Sequence, residues 1–167
     1  DMSEWSVHDI DKCGSIETIR YCDIDGCGVV EVFPNTPGEP QSFYKLKVDE
    51  NGEGTGKFEK YVIGEEPSGH GMGLGDINGD GRIDVVLNKG WLEQPDDPCK
   101  TPWQFHSMFD LGGASVPVLV YDINDDGLND LIVGQAHDYG LSWWEQKKDA
   151  QDNRFWIKHD IDKEYSQ

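Results

Sequence analysis

The stretch HGMGLGDINGDGRIDVV, residues 70–86, decides how the chain folds, because oxygen-bearing side chains alternate around glycines and then run into an apolar segment. Asp76, Asn78, Asp80 and Asp84 occupy positions 1, 3, 5 and 9 of this loop. Calcium takes its ligands from such alternating oxygens, and a glycine at position 6 permits the turn that directs them inward. The loop therefore predicts a calcium site.

Positions 7 and 12 of this loop can be compared with the same positions of an EF-hand. Arg82 at position 7 offers its backbone carbonyl as a ligand, but position 12 is Leu87 and not the bidentate glutamate of an EF-hand. The residues on both sides are typical of strands rather than of helices. We therefore expect a calcium loop between two strands, and an acidic turn without an ion is the alternative that the sequence leaves open.

The acidic pattern occurs three times, and its first acids, Asp23, Asp76 and Asp122, are separated by 53 and 46 residues. The third loop repeats the donor set of the second. Four side chains supply oxygens, namely those of Asp122, Asn124, Asp126 and Asp130, and Leu128 offers its backbone carbonyl. We expect Ca²⁺ in the second and third loops, with Mg²⁺ as the alternative ion for the same ligands.

The first loop departs from this pattern. Asp23 and Asp25 match it, whereas Cys27 replaces the acid at position 5 and Glu31 replaces the aspartate at position 9. A thiol is a poor ligand for a hard ion such as calcium. We therefore expect the set Asp23, Asp25 and Glu31 to form a weak or empty calcium site.

A second signature keeps the register of the first. The segments WSVH, FEKY, WQFH and WIKH begin at Trp5, Phe58, Trp103 and Trp156, which are 53, 45 and 53 residues apart. Each of the first three aromatic residues precedes an acidic loop by 18 or 19 residues. The unit of about 50 residues, with four short β-branched segments, is typical of a propeller blade.

These repeats predict an all-β fold made of four-stranded antiparallel blades. We place the blades near residues 13–63, 64–110 and 111–163 of one partial propeller, 1–167, and expect Trp5–Lys12 to supply a strand to a neighbouring blade. Propellers close with roughly four to eight blades. The three units are therefore expected to form an arc that is completed by other blades of the same protein or by other copies of the chain.

Net charge and cysteine content limit the classes of partner and the cellular location that the chain can have. Fourteen basic and 33 acidic residues give a formal net charge of −19, which argues against nucleic acid as a partner. No apolar stretch approaches the roughly 20 residues of a membrane span. Four cysteines in an acidic chain permit disulfides, with Cys13 and Cys22 as the first pair to consider, and favour an extracellular, secreted or periplasmic protein; free thiols remain the alternative.

The loop pattern D-x-[DN]-x-D-G-x-x-D between two strands, at 76–84 and 122–130, resembles the FG-GAP/VCBS repeats of β-propeller proteins. The integrin α-chain propeller carries similar loops, and the resemblance covers nearly the whole chain as three units. It implies that the ion ties a strand connection within each blade. It also implies a binding or scaffold module for carbohydrate or protein, since these repeats occur in adhesion modules and carbohydrate-active proteins without one common activity.

Three other segments are similar to the propeller portion of the aldos-2-ulose dehydratase lineage, namely SGHGMG (68–73), KGWLEQP (89–95) and GQAHDYGLSWWEQ (134–146). Enzymes of that type act on anhydro-sugars, use metal ions and carry additional cupin domains, and no cupin segment is visible in this chain. The resemblance implies a metal-dependent sugar dehydratase, a carbon–oxygen lyase, as the alternative function. The sequence leaves open whether the chain is an enzyme.

His70 and His137 are the candidate catalytic residues, because neither falls in the recurring aromatic-x-x-His slot. Two neutral imidazoles can bind Zn²⁺, with Asp138 or Tyr139 as a further ligand, or act as acid and base on a sugar. A turn histidine bonded to the backbone is the alternative. The histidines within the slot recur once per unit and are expected to pack within each blade, and these are His8, His106 and His159.

Three tryptophans follow the acidic loops and can be read in two ways. Trp91, Trp143 and Trp144 offer faces on which a sugar ring can stack, but their recurrence after the loops favours packing between blades. Trp143 and Trp144 are adjacent in a predicted strand, so we expect them to point to opposite faces. The more exposed of the two is the better sugar-binding candidate.

Overall fold

Twelve strands form three antiparallel sheets of four strands each. The structure is a computed structural model, and it describes residues 7–67, 69–115 and 117–166. Within these ranges no residue lies in a helix, and a membrane-crossing helix is therefore also missing from them. The predicted all-β fold with four-stranded antiparallel sheets is confirmed.

Each sheet takes its strands in chain order. Sheet 1 contains β1 (Thr18–Cys22), β2 (Glu31–Asn35), β3 (Pro40–Val48) and β4 (Gly54–Pro67). Sheet 2 contains β5 (Gly73–Gly75), β6 (Asp84–Leu87), β7 (Gly90–Glu93) and β8 (Gln104–His106). Sheet 3 contains β9 (Leu119–Tyr121), β10 (Asp130–Gly134), β11 (Tyr139–Lys148) and β12 (Arg154–Ser166). The three acidic loops all join the first and second strands of their sheets.

Sheet 2 lies between the other two and is buried on both faces. In β6, Val85 and Leu87 pack into an apolar cluster shared with sheet 1, whereas Val86 packs into a second cluster shared with sheet 3. The continuous apolar run of β6 follows from this, because successive side chains of a strand point to opposite faces and both faces are covered.

The first cluster joins sheets 1 and 2 through aromatic and aliphatic side chains. Phe33 and Phe43 of sheet 1 are fully buried with Leu92 of sheet 2, and the two phenyl centroids are 5.3 Å apart. Trp103 closes this cluster, and its indole N–H donates to the Pro98 carbonyl at 3.0 Å. Trp103, which begins the W-x-x-H segment at 103–106, therefore serves the contact between two sheets.

The second cluster joins sheets 2 and 3 in the same way. Trp91 of sheet 2 packs with Leu131 and Val133 of sheet 3, and Trp144 and Trp156 flank the cluster. Trp156 occupies in sheet 3 the place that Trp103 has in sheet 2. The two inter-sheet contacts are therefore built from corresponding positions of the repeat.

The segment before sheet 1 does not pair with any of the three described sheets. The described part of the expected strand, Val7–Lys12, has no strand pairing, and Trp5 lies outside the described residues. Asp11 instead accepts hydrogen bonds from the Tyr44 hydroxyl at 2.6 Å and the Lys60 ammonium at 3.1 Å. Side-chain contacts rather than a strand ladder therefore hold this segment against sheet 1.

All four cysteines are free thiols, including Cys13 and Cys22. Cys22 is half-buried beside the first apolar cluster. Burial raises the pKa of its thiol to about 12, and the charges of Glu31 and Asp23 add to this rise. The thiol of Cys22 therefore stays protonated at neutral pH.

Candidate functional site

The second acidic loop folds around the carboxylate of Asp76. Its Oδ1 accepts hydrogen bonds from the N–H groups of Gly79 at 2.6 Å and Asp80 at 3.1 Å, and its Oδ2 accepts one from Gly81 at 2.8 Å. Gly79 and Gly81 have φ angles of 78° and 85°, which a glycine adopts without strain. The Asp76 carboxylate at position 1 thus holds the backbone of the predicted loop through three hydrogen bonds.

Asp84, at position 9, closes the loop from inside the protein. Its buried carboxylate accepts from the Ile77 N–H at 2.8 Å and from the Gln94 N–H at 3.0 Å. Burial raises the pKa of Asp84 to about 7; the two backbone hydrogen bonds oppose this rise, and the charges of Asp80 and Asp76 add to it. Two backbone donors therefore hold the Asp84 carboxylate inside the protein, although burial disfavours its charged form.

The third loop repeats this arrangement. Asp122 accepts from the N–H groups of Asp126 at 3.1 Å and Gly127 at 2.8 Å. Asp130 is buried and accepts from the Ile123 N–H at 3.3 Å and the Gln146 N–H at 2.8 Å. The second and third loops thus share one backbone fold around the same two carboxylates.

The cations nearest these loops come from the chain itself. The guanidinium of Arg82 lies 2.5 Å from Asp80, and the ammonium of Lys147 lies 3.0 Å from Asp126. The Lys147 hydrogen bond holds the pKa of Asp126 below its usual range. Leu128 directs its N–H to Asp126 Oδ1 at 3.0 Å. The Arg82 N–H likewise donates to Asp80 Oδ1 at 2.9 Å, so each position-5 carboxylate has one ion pair and one backbone donor.

A glutamate and a histidine connect each of these two loops to its sheet. The Asn78 amide donates to Glu93 Oε1 at 3.0 Å, and Glu93 Oε2 lies 2.6 Å from His106 Nε2. The His106 ring stacks on Trp91, with centroids 4.3 Å apart. A side-chain path thus runs from the loop to the buried tryptophan.

Sheet 3 has the same path at corresponding residues. Asn124 donates to Glu145 at 3.0 Å, Glu145 lies 2.8 Å from His159, and His159 stacks on Trp143 with centroids 4.6 Å apart. The sequence reasoning did not single out Glu93 and Glu145. Their signal was present in the repeated segments WLEQ and WWEQ, where each glutamate follows the loop at the same place.

The first loop has a different set of groups. One ligand atom each from Asp23, Asp25 and Cys27 lies within 4.8 Å of the others, and this is the one group of three His, Cys, Asp or Glu residues found in the part of the chain that the structure describes. The Lys45 ammonium contacts Asp25. Glu31 is buried and accepts from the Ile24 N–H at 2.9 Å. The thiol of Cys27 thus stands among the carboxylates and not apart from them.

The structure brings the two candidate histidines together. The rings of His70 and His137 meet edge to face, with centroids 5.3 Å apart, and His70 Nδ1 lies 3.3 Å from Glu17 Oε1. Asp138 directs one carboxylate oxygen to the N–H of Tyr139 at 2.7 Å. His137 is exposed and has a φ angle of 59°.

The histidine pair lies away from the acidic loops. His70 precedes β5, and the second loop follows β5, so the two stand at opposite ends of this strand. An open cleft of about 600 Å³ adjoins His70 and is lined also by Asn88, Lys89 and Phe105. The calcium candidates and the histidine candidates therefore form separate sites.

Comparisons of the chain with protein-family models, with curated proteins and with solved structures find no match.

The tryptophans divide between packing and exposed faces. Trp91 is only 3% exposed and is covered by sheet 3, so its ring is closed to a sugar. Trp144 packs beside the second cluster, and the Lys158 ammonium lies 5.9 Å from its ring centroid. Trp143 points to the other face of sheet 3, as the strand alternation predicts. Both Trp143 and Trp144 are half-buried.

Proposed function

We propose that the chain is a calcium-stabilised β-propeller repeat module of the FG-GAP/VCBS type, exported from the cell, with a binding or scaffold role toward carbohydrate or protein. Three meander sheets pack face to face, and each carries an acidic loop at the connection between its first and second strands. In the second and third loops the backbone folds around two carboxylates, which supports a bound cation.

The observation that carries the propeller proposal is the outer face of sheet 3. Strand pairing places four residues side by side on that face, namely Leu119, Ile132, Trp143 and His159. At the corresponding places, sheet 2 has Gly73, Val86, Trp91 and His106. Sheet 3 covers this row of sheet 2. The equivalent row of sheet 3 is open, with Leu119 half exposed, which suits a further sheet of the same kind.

Apolar side chains also remain exposed at the opposite end of the stack. Tyr21 and Ile19 of β1 alternate with Cys22, which faces sheet 2, and therefore point to the outer face of sheet 1. Tyr21 is 72% exposed. Two open sheet faces support a module that is completed by other blades or by other copies of the chain.

Calcium titration tests the proposed function. An ion that binds only the folded state at 100 times its Kd adds about 2.7 kcal/mol per site. For a chain of this size, each kcal/mol of added stability raises Tm by roughly 2–4 °C. We expect two equivalents of Ca²⁺ by calorimetry and a Tm that falls by several degrees on chelation.

Variants assign the calcium effect to the loops. Asp76→Asn and Asp122→Asn should each remove one equivalent. Asp149→Asn is the matched control, because Asp149 also accepts backbone hydrogen bonds in an acidic turn, from Gln151 at 2.8 Å and Asn153 at 2.9 Å, but lies outside the loops. A melting curve that calcium and chelator leave unchanged contradicts the proposal.

The convergence of His70 and His137 favours a second candidate, the propeller part of a metal-dependent sugar dehydratase that acts on anhydro-sugars. The two imidazoles and the Glu17 carboxylate supply donors for Zn²⁺ or an acid and a base for elimination of water. Zinc binding and loss of one water from an anhydro-sugar, followed by mass spectrometry, test this function. The zinc equivalent held by the histidine pair and the dehydration should both disappear in His70→Ala and persist in His8→Ala, whereas zinc at any other site is unaffected by either variant. Calcium binding alone, without zinc at the pair, favours the scaffold.

A further inference from the structure

We propose that the first acidic loop is a site for a thiophilic divalent cation such as Zn²⁺, held by Asp23, Asp25, Cys27 and Glu31. This loop is the one for which the sequence predicts a weak or empty calcium site. The proposal goes beyond the calcium-binding module, because it concerns a different ion and a loop that the calcium proposal does not need.

The arrangement of three donors supports a shared ion. Ligand atoms of Asp23, Asp25 and Cys27 lie within 4.8 Å of one another. Zinc binds carboxylate oxygen at about 2.0–2.2 Å and thiolate sulfur at about 2.3 Å. An ion among these three atoms therefore requires only a modest contraction of an exposed loop. Asp23 Oδ2 accepts from the Gly28 N–H at 2.8 Å, and Asp25 contacts the Lys45 ammonium.

Glu31 provides an independent observation. Its side chain is fully buried, and within the described residues its Oε1 has no hydrogen-bond donor. At the equivalent positions of the other loops, Asp84 and Asp130 each have both oxygens bonded to backbone N–H groups. A buried carboxylate oxygen without a donor is costly. The Glu31 oxygen is not one of the three atoms that lie within 4.8 Å of one another, so it joins them as a fourth ligand only when the loop contracts around an ion.

The Glu31 Oε1 oxygen faces the ammonium group of Lys45. Glu31 Oε1 lies 3.7 Å from the Lys45 ammonium, and the same ammonium contacts Asp25. Lys45 occupies the position that Glu93 and Glu145 hold in the other two sheets. A positive charge thus already sits between two of the proposed ligands, and a bound metal must displace it. The side chain of Lys45 is partly exposed and can turn toward solvent.

The donor types select the class of ion. Calcium prefers six to eight oxygen ligands, whereas Zn²⁺ is satisfied by four ligands that include thiolate and carboxylate. The exchange of an acid for Cys27 removes an oxygen and adds sulfur. The first loop is therefore better suited to Zn²⁺ than to Ca²⁺, while the second and third loops keep oxygen donors alone.

Cobalt is the probe for this site, because a thiolate bound to Co²⁺ gives a charge-transfer absorption band in the near ultraviolet that oxygen and imidazole ligands do not give. The full chain is first saturated with Ca²⁺ and then titrated with Co²⁺. We expect one equivalent to produce the band, and Zn²⁺ to displace it. Cys27→Ser should abolish the band, and Cys99→Ser, the matched control, should retain it.

Two further variants keep the test decisive. Lys45→Gln should tighten cobalt binding, because it removes the competing ammonium. Cys27→Asp should lose the band and gain an additional equivalent of Ca²⁺, because it restores an oxygen at position 5. A band that persists in Cys27→Ser, or no band in either the parent chain or Lys45→Gln, overturns the proposal. His70→Ala leaves the band in place if the thiolate site is separate, and calcium calorimetry reports independently on the other loops.

Discussion

Gly75 of β5 and Val120 of β9 meet across the contact between sheets 2 and 3, so closely that a Cβ on Gly75 would lie 2.5 Å from Val120 Cβ. Gly73 likewise faces the Val118 carbonyl, which would lie 2.5 Å from its Cβ. The alternate glycines of GLG thus allow the first strands of two neighbouring sheets to approach each other. The glycines before the second loop serve the packing of sheets and not only the turn.

Gly75→Val is expected to destabilise the protein, because the new side chain overlaps the half-buried Val120. Overpacking of this kind costs about 1–3 kcal/mol. Urea denaturation followed by tryptophan fluorescence measures the loss. Gly113→Ala is the control, since its Cβ would meet its nearest neighbour at an ordinary 3.5 Å. Equal stability of Gly75→Val and the parent chain would contradict the close packing of β5 on β9.

Asp84→Asn is expected to destabilise the fold even when no metal ion is bound. Both carboxylate oxygens of Asp84 accept from backbone N–H groups, and an amide directs its NH₂ toward one of them and leaves it unpaired. The cost of an unsatisfied buried group is about 1–3 kcal/mol. The measurement is denaturation in the presence of chelator.

Asp96→Asn is the control for this substitution. The Asp96 side chain is 94% exposed and contacts only Arg82 among the described ion pairs. Asp130→Asn should reproduce the loss, because Asp130 closes the third loop in the same way. If Asp84→Asn is no less stable than Asp96→Asn, the two backbone hydrogen bonds do not hold the loop.

Trp91→Ala and Trp143→Ala compare the covered face with the open one. Trp91 is packed against sheet 3, and its removal is expected to cost about 3–5 kcal/mol. Trp143 stacks on His159 as Trp91 stacks on His106, but no sheet covers its face, so its removal from the isolated chain should cost clearly less. Denaturation of both variants, with sedimentation to establish that the chain is monomeric, decides the matter. Equal losses in a monomer would mean that the outer face of sheet 3 is already covered.

The contact of Asp11 with sheet 1 is expected to depend on pH. The Tyr44 hydroxyl, the Lys12 N–H and the Lys60 ammonium donate to Asp11 and lower its pKa from 3.8 to about 2. A carboxylate with a lowered pKa in the folded protein adds stability above its unfolded pKa and loses it as the pH falls toward the folded value. The segment before sheet 1 should therefore remain attached above about pH 4 and detach as the pH approaches 2.

Amide chemical shifts of residues 7–13, followed by NMR during an acid titration, measure this detachment. Asp11→Asn should release the segment at neutral pH and increase the rate of tryptic cleavage after Lys12. Asp9→Asn is the control, because Asp9 is exposed on the same segment. A segment that responds equally to both substitutions would show that Asp11 does not anchor it.

The local elements could be predicted from the sequence because their signals are short. The spacing of Asp76, Asn78, Asp80 and Asp84 and the apolar residues beside them depend on neighbours in the chain. These signals place three loops between strands, and the described sheets have that order. The strand expected before sheet 1 stays a prediction: the VHDIDK pattern repeats KHDIDK of β12, but residues 7–12 find no partner among the described strands, and the neighbouring blade that they are expected to join is not one of the three sheets.

The amino-acid sequence by itself determined the all-β class, the four strands of each unit and the three acidic loops, since each follows from the alternation of side chains along a strand or the turn preference of glycine. Only the tertiary structure decided which groups meet. Strand pairing brings Glu93 to His106, and the packing of sheets brings His70 to His137. Such contacts depend on register and on which faces are covered, and neither is encoded in a local spacing.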